Sequence, residues 1–132
     1  MKKPNVSSVV LDASALLAYL FGEAGAGRVE EVLHGALVSA VNLAETVGKA
    51  IDTGAALEET ARQIGRLPVT SVAFDEEQAY LVASLRRDTR HKGLSLGDRA
   101  CLALGMKSSR PVLTADTAWV GLDIAVEVIQ IR

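Results

Sequence analysis

Four acidic side chains occupy positions that a parallel α/β fold would bring to one edge of its sheet: Asp12, Glu45, Asp98 and Asp116. Asp12 and Asp116 each directly follow a predicted strand. Asp98 opens a predicted helix, and Glu45 lies about one turn into the helix that follows another strand. All four locations fall beyond the carboxyl ends of parallel strands, where such folds bind their ligands.

Carboxylates brought this close together repel one another. At 4 Å and an effective dielectric near 20, the repulsion is about 4 kcal/mol per pair. A cluster of four therefore needs a cation, unless some of its members are protonated. Carboxylates and water are the ligands of Mg²⁺ or Mn²⁺, and such ions activate water and hold the oxygens of an in-line phosphoryl displacement. The chemistry implied is phosphodiester hydrolysis.

Each acid also has an ordinary structural explanation. Asp12 is suited to cap the helix that begins after it, and Ser95 and Asp98 have the spacing of a capping box. Glu45 could lie on a solvated helix face, although its neighbours are small or apolar, and Asp116 could close an Asx turn. Taken singly, Glu45 and Asp98 favour the structural explanation. The shared placement of the four favours a metal site.

The elements that must position these acids alternate between strand and helix. Short apolar strands are predicted at Val6 to Leu11, Ala36 to Ala40, Val69 to Val72, Val112 to Thr114 and Val126 to Ile131. Helices are predicted at Ala13 to Phe21, Gly25 to Leu33, Val41 to Ile51, Ala55 to Arg66, Asp75 to Arg87 and Leu96 to Lys107. This alternation predicts an α/β fold with a parallel β-sheet flanked by helices on both faces, in a single domain over residues 1–132.

The composition limits the classes of function. Of the 132 residues, 49% are apolar and 4% aromatic, and a net charge of -2 gives no electrostatic indication of nucleic-acid binding. The single cysteine, Cys101, lies in an apolar run and is predicted to be a buried hydrophobic residue. His34 and His91 are predicted surface residues without ligand spacing, which argues against a zinc site.

The N-terminal segment has a faint similarity to a signal peptide. Lys2 and Lys3 precede an apolar stretch that ends near Ala24-Gly25-Ala26. Asp12 interrupts that stretch, and removal of the segment would delete the first predicted strand. We therefore expect a retained N-terminus and a cytoplasmic protein. No apolar run approaches the roughly 20 residues needed to span a bilayer.

Four short motifs surround the acids. They are Val10-Leu11-Asp12-Ala13-Ser14-Ala15-Leu16-Leu17, Leu43-Ala44-Glu45, Ser95-Leu96-Gly97-Asp98-Arg99, and Thr114-Ala115-Asp116 with Trp119. In this order and spacing they resemble the PIN-domain family, especially the VapC-type toxins of bacterial toxin–antitoxin pairs. Each motif alone is weak, but the ordered set is fairly specific and spans nearly the whole chain.

This resemblance implies a three-layer α/β/α sandwich and an endoribonuclease that depends on one or two Mg²⁺ or Mn²⁺ ions per site. The metal ligands, or the groups that orient metal-bound water, would be Asp12, Glu45, Asp98 and Asp116. Ser14 and Thr114 match polar positions beside the acids and would support them through hydrogen bonds. A homodimer is also implied, bound by a small antitoxin whose C-terminal segment blocks the site. Some relatives carry an acid or Asn where this chain has Ala118, so a second ion would need the substrate phosphate to complete its ligands.

A basic stretch precedes Asp98: Arg86, Arg87, Arg90, His91 and Lys92. Its ordinary explanation is a solvated helix end followed by a polar loop. Its functional explanation is RNA phosphate contact by Arg86, Arg87, Arg90 and Lys92, which would offset the repulsion between the acids and a polyanion. Because aromatic residues are few, we do not expect base stacking to contribute, and specificity would come from RNA shape or a few hydrogen bonds.

The residues leave two alternatives open: a DNA-directed nuclease, and a non-catalytic PIN-like module that binds RNA or protein. A haloacid-dehalogenase-type phosphatase would need a second Asp where Ser14 stands. A receiver domain would need paired acids after the first strand. Metal-dependent cleavage of RNA separates the nuclease from the binding module.

Overall fold

A central parallel sheet organises residues 9–132, the part of the chain that the computed structural model describes. Within that range it has five strands: β1 (Val10–Leu11), β2 (Leu37–Ser39), β3 (Thr70–Val72), β4 (Val112–Thr114) and β5 (Val128–Gln130). Their spatial order is β3-β2-β1-β4-β5, and every neighbouring pair is parallel. All five carboxyl ends therefore lie at one edge, with β1 in the middle.

Helices connect the strands. They are α1 (Ala13–Phe21), α2 (Ala26–Glu31), α3 (Ala40–Asp52), α4 (Leu57–Gly65), α5 (Glu76–Ser84), α6 (Arg86–Thr89) and α7 (Leu96–Ser108). Short 3-10 helices occupy Arg90–Lys92 and Thr117–Trp119. Both α1 and α3 begin directly after a strand, so their first turns lie at the carboxyl edge of the sheet.

The sheet separates two apolar clusters, because successive strand side chains point to opposite faces. Leu11 of β1 packs in one cluster with residues of α1 and α2. Val10, the preceding residue, packs in the other with residues of α5 and α7. Helices thus cover both faces, and the predicted fold class is confirmed.

Most predicted elements agree with the observed ones within a few residues, and α1 and β4 have the predicted bounds. The strand predicted at Val6 to Leu11 is observed at Val10–Leu11, and residues 6–8 lie outside the described part. The helix predicted at Asp75 to Arg87 is instead divided into α5 and α6. At Leu85, between them, ψ is -13°, well short of the α-helical value near -42°, so the helix is distorted there, although the Leu85 N–H still donates to the Leu81 carbonyl and the Thr89 N–H to the Leu85 carbonyl.

Three further sequence predictions can be compared with the structure. Cys101 is buried, and His34 and His91 are exposed, as predicted. Within residues 9–132, no helix combines the length and apolar character needed to cross a membrane.

Candidate active site

Asp12 is the buried centre of the candidate site. It directly follows β1, and only 4% of its surface is exposed. Its Oδ1 accepts a hydrogen bond from the Ala15 backbone N–H at 2.8 Å, which caps α1. The Ser14 hydroxyl lies 2.7 Å from the same oxygen, and the Thr114 hydroxyl donates to Oδ2 at 2.6 Å. Both carboxylate oxygens are therefore engaged, and the side chain has one fixed orientation.

Burial sets the charge state of Asp12. Loss of solvation raises the pKa of this carboxyl from 3.8 to about 6, although hydrogen bonds from Thr114, Ala15 and Ser14 oppose the rise. The nearby negative charge of Asp98 raises it slightly further. At neutral pH, Asp12 is thus a carboxylate that the fold holds at an energetic cost, and a cation beside it would reduce that cost.

Thr114 connects Asp12 with Asp116 across two neighbouring strands. Its hydroxyl donates to Asp12 and accepts from the Asp116 backbone N–H at 3.0 Å. Ser14 makes a parallel connection, because its Oγ accepts from the Ala115 backbone N–H at 2.8 Å. Asp116 Oδ1 accepts from the Ala118 N–H at 2.9 Å, which is the expected Asx turn. Two hydroxyl groups therefore fix the β1 and β4 ends to each other.

Glu45 lies against the start of α7, through contacts that the sequence did not reveal. Its carboxylate occupies the space beside the Gly97 Cα where any other residue would carry a Cβ. The Asn42 side-chain amide donates to Glu45 Oε1 at 2.9 Å and to the Gly97 carbonyl at 3.0 Å. Asn42 is 1% exposed, and its own Oδ1 has no hydrogen-bond partner among the described residues. Asn42 thus holds Glu45 next to the residue that precedes Asp98.

Asp98 forms the capping box predicted for α7. The Ser95 hydroxyl accepts from the Asp98 N–H at 3.1 Å, and Asp98 Oδ2 accepts from the Ser95 N–H at 3.0 Å. The structural explanation of this acid is therefore confirmed. It does not exclude a second role, because a carboxylate has two oxygens and the cap uses one.

Cys101 is a buried thiol within electrostatic reach of three of the four acids. Burial raises the pKa of its thiol well above the usual value, and the charges of Asp12, Asp98 and Glu45 each raise it further. Three acids from three different elements thus act electrostatically on one buried residue. The thiol itself stays protonated and is no nucleophile.

Free carboxylate oxygens remain at this edge of the sheet. Asp98 Oδ1, Asp116 Oδ2 and Glu45 Oε2 accept no hydrogen bond from the described residues. Oxygen donors of this kind suit Mg²⁺ or Mn²⁺. In their present positions, however, no three acidic, histidine or cysteine side chains of residues 9–132 are close enough to hold a metal ion. The acids share one edge of the sheet without forming a closed ligand cage.

The basic stretch precedes this edge along the chain. Arg86 and Arg87 lie on α6, and Arg90 and Lys92 lie on the 3-10 helix that leads to α7. All four side chains are exposed, and none forms an ion pair with a described residue. Their contact with RNA stays a prediction.

Comparison with known proteins identifies the family. The family model of the PIN domain matches residues 9–124, so the chain belongs to the PIN-domain family. No curated protein matches in sequence.

The fold is similar to solved toxin–antitoxin proteins. A chain of a toxin–antitoxin complex from Klebsiella pneumoniae has a TM-score of 0.74 at 17% identity, with 95% of this chain and 98% of that chain covered. A chain of DNA-bound VapBC from Salmonella typhimurium has a TM-score of 0.73 at 14% identity, with 96% and 100% covered. A chain of VapBC-5 from Mycobacterium tuberculosis has a TM-score of 0.64 at 21% identity, with 95% and 98% covered. At these identities the likeness concerns the fold.

Proposed function

We propose that this protein is a divalent-metal-dependent endoribonuclease and the toxin of a toxin–antitoxin pair. The observation that carries the proposal is Asp12, a buried carboxylate fixed by two hydroxyl groups at the edge where three other acids keep a free oxygen. Such an arrangement costs energy without a cation. PIN-family membership and the toxin–antitoxin neighbours support the nuclease and toxin assignments.

In the proposed reaction, water attacks a backbone phosphorus and one P–O bond to the RNA breaks. The attacking water loses a proton, and the departing oxygen gains one. A bound Mg²⁺ or Mn²⁺ would supply an activated water and neutralise phosphate charge. The groups that would hold the ion are the carboxylates of Asp12, Glu45, Asp98 and Asp116. Ser14 and Thr114 would keep the Asp12 oxygens in place, and Asn42 would do the same for Glu45.

The first test replaces Asp98 and Asp116 singly by Asn. In Asp98→Asn, the amide oxygen of the new side chain can still accept the Ser95 N–H, so the capping box and the fold should survive. We expect each variant to lose at least about 100-fold in cleavage of mixed RNA and to lose Mn²⁺ binding measured by calorimetry. Asp123→Asn, an exposed acid away from the site, is the control. Undiminished cleavage in both variants would contradict the assignment.

The alternatives give different results in the same assay. A DNA-directed nuclease would cut single-stranded or duplex DNA and spare RNA. A non-catalytic module would bind RNA or a partner protein and cut neither nucleic acid with Mg²⁺ or Mn²⁺. The toxin assignment adds that expression of the parent, and not of Asp98→Asn, should arrest growth of a bacterial host. We also propose the homodimer that the family resemblance implies, for which light scattering should give twice the mass of one chain.

A second test concerns Asn42, the buried amide that contacts Glu45. Asn42→Ala removes the donor to Glu45 and to the Gly97 carbonyl, so we expect Mn²⁺ affinity and kcat to fall by about 10- to 100-fold while KM for RNA changes little. Gln78→Ala is a matched control, because Gln78 is also a buried amide and donates to the Ala73 carbonyl at 2.9 Å, outside the site. If both variants lose only stability, Asn42 has a purely structural role.

A further inference from the structure

A groove between α1 and α3 opens beside the candidate site. It has a volume of about 290 Å³ and is lined by Ser14 and Phe21 of α1, Lys49 of α3, Thr53 at the C-terminal cap of α3, and Glu23 and Arg132. Ser14 is the residue whose hydroxyl contacts Asp12. The groove and the candidate site therefore share Ser14.

The spacing on α3 places one groove residue next to a site residue. Glu45 and Lys49 are four residues apart, so they lie on one face of the helix about 6 Å apart, and Thr53 is the residue that caps the helix end. The same helix face thus presents an acid at the site and a cation one turn further on. Phe21 lies at the opposite end of α1 from Ser14 and is 50% exposed.

The charge of the groove differs from that of the site. Lys49 and Arg132 contribute two cations, against the single carboxylate of Glu23. Neither cation forms an ion pair with a described residue. Arg132 donates one hydrogen bond, to the Ala24 carbonyl at 2.9 Å, which fixes its position and leaves other guanidinium N–H groups available. Two cations and an exposed aromatic ring form the combination that binds single-stranded nucleic acid.

We propose that this groove, called here the α1–α3 groove, binds the single-stranded RNA that flanks the scissile phosphate. Lys49 and Arg132 contact backbone phosphates, and a base stacks on the Phe21 ring. This stacking departs from the expectation drawn from the low aromatic content, because Phe21 is exposed in the groove. This inference rests on the proposed nuclease function, because a strand that flanks a scissile phosphate exists only if the protein cleaves RNA. Binding to the groove needs no cleavage, however, and can be measured separately.

The test uses fluorescence anisotropy to measure the binding of a fluorescein-labelled single-stranded RNA of mixed sequence. The RNA is about 12 nucleotides long, which is within the site sizes of single-strand-binding proteins. EDTA is present so that divalent-ion-dependent cleavage does not compete, and KCl is varied. The parent is compared with Lys49→Ala, Arg132→Ala and Phe21→Ala. Each variant changes an exposed side chain, and thermal melting checks that it is folded.

Each substitution has its own expected result. Lys49→Ala and Arg132→Ala should each weaken binding and reduce the slope of log K against log salt by about 0.7, because each removes one phosphate contact to a single strand. Phe21→Ala should weaken binding about tenfold without changing that slope, since stacking releases no counterions.

Matched controls use side chains outside the groove. Arg28→Ala removes an exposed cation of α2, and Tyr80→Ala removes an aromatic ring that is 70% exposed on α5; neither should change binding. Arg86→Ala/Arg87→Ala tests the basic stretch directly. If only that double variant reduces the slope, or if the parent binds no RNA, the groove proposal is wrong. If the groove variants lose binding and the parent cuts no RNA with Mg²⁺ or Mn²⁺, the groove proposal stands and the nuclease proposal fails.

Discussion

Asp12→Asn is expected to abolish RNA cleavage and Mn²⁺ binding while making the protein more stable at pH 7.5. Burial raises the pKa of this carboxyl to about 6, so at neutral pH the folded state bears the cost of a charge that the unfolded state solvates freely. Removal of that charge should stabilise the fold by about 3 kcal/mol. The new amide N–H₂ displaces one hydroxyl donor, and the loss of that hydrogen bond reduces the stabilisation by about 1 kcal/mol. The net gain corresponds to a melting temperature about 7 °C higher, measured in EDTA.

The stabilisation expected for Asp12→Asn depends on pH. Between pH 3.8 and about 6, the folded state binds a proton at Asp12 that the unfolded state has already released. The free energy of unfolding therefore falls as pH rises through this interval, and the penalty is complete above it. In denaturant titrations, the stability difference between Asp12→Asn and the parent should be small near pH 4 and reach its maximum by pH 7.5.

Asp75→Asn is the matched control for Asp12. Asp75 also caps a helix, α5, but it is exposed, and the hydrogen bond from the Gln78 N–H lowers the pKa of its carboxyl. Its replacement should therefore leave cleavage unchanged and make the protein slightly less stable at neutral pH. A loss of stability in Asp12→Asn as well would show that the hydroxyl contacts, and not the buried charge, dominate at this position.

Gly97→Ala is expected to reduce RNA cleavage by about 100-fold. Gly97 lies in the first turn of α7, and an added Cβ would collide with the Glu45 carboxylate. Either Glu45 or the start of α7, which carries Asp98, must move. A displacement of about 1 Å in such a site costs about 100-fold in rate. The Glu45 carboxylate is the end of a flexible side chain and can move aside at little cost to the fold, so the variant should keep most of the gain of about 1 kcal/mol that Gly→Ala usually gives in a helix.

Two other helical glycines separate this effect from a general loss of stability. Gly48 has no neighbouring atom within 4 Å of an added Cβ, so Gly48→Ala should stabilise α3 by about 1 kcal/mol and leave cleavage intact. At Gly105, an added Cβ would lie 2.7 Å from Val112 Cγ1, away from the acids. Gly105→Ala should destabilise the protein and leave the kcat of the folded fraction unchanged. If Gly97→Ala behaves like Gly105→Ala, Glu45 has no part in the reaction.

Local patterns predicted most of the fold. The apolar strands and the helical spacing between them specify a parallel sheet covered on both faces, and Asp75 and Ser95 mark their helix starts through capping chemistry that depends only on near neighbours. The interruption at Leu85 was not predictable, because the apolar and polar residues continue in helical spacing across it.

The candidate site was predicted only in part, because contacts between residues far apart in sequence leave no local pattern. The placement of Asp12, Asp98 and Asp116 follows from strand ends and caps, and the contacts of Ser14 and Thr114 with Asp12 agree with their expected positions. Asn42 was missed, since its contact with Gly97 crosses 55 positions of sequence. Its one local signal was an amide three residues before Glu45, on the same helix face. The α1–α3 groove was missed because it combines residues from both ends of the chain.

The hydrogen bonds of the Ser14 and Thr114 hydroxyl groups fix the direction in which their hydrogens point. The Ser14 and Thr114 oxygens each accept a backbone N–H from the β4 end, so each hydroxyl hydrogen is left to point at Asp12. Together with the Ala15 N–H, they surround this carboxylate with donors. A proton on Asp12 would find no acceptor among these three partners and would have to turn a hydroxyl away. The site therefore has a fixed polarity: it presents donors to a carboxylate, whereas a proton on Asp12 makes one hydroxyl turn away and give up its hydrogen bond, while the backbone pairing of β1 with β4 stays intact.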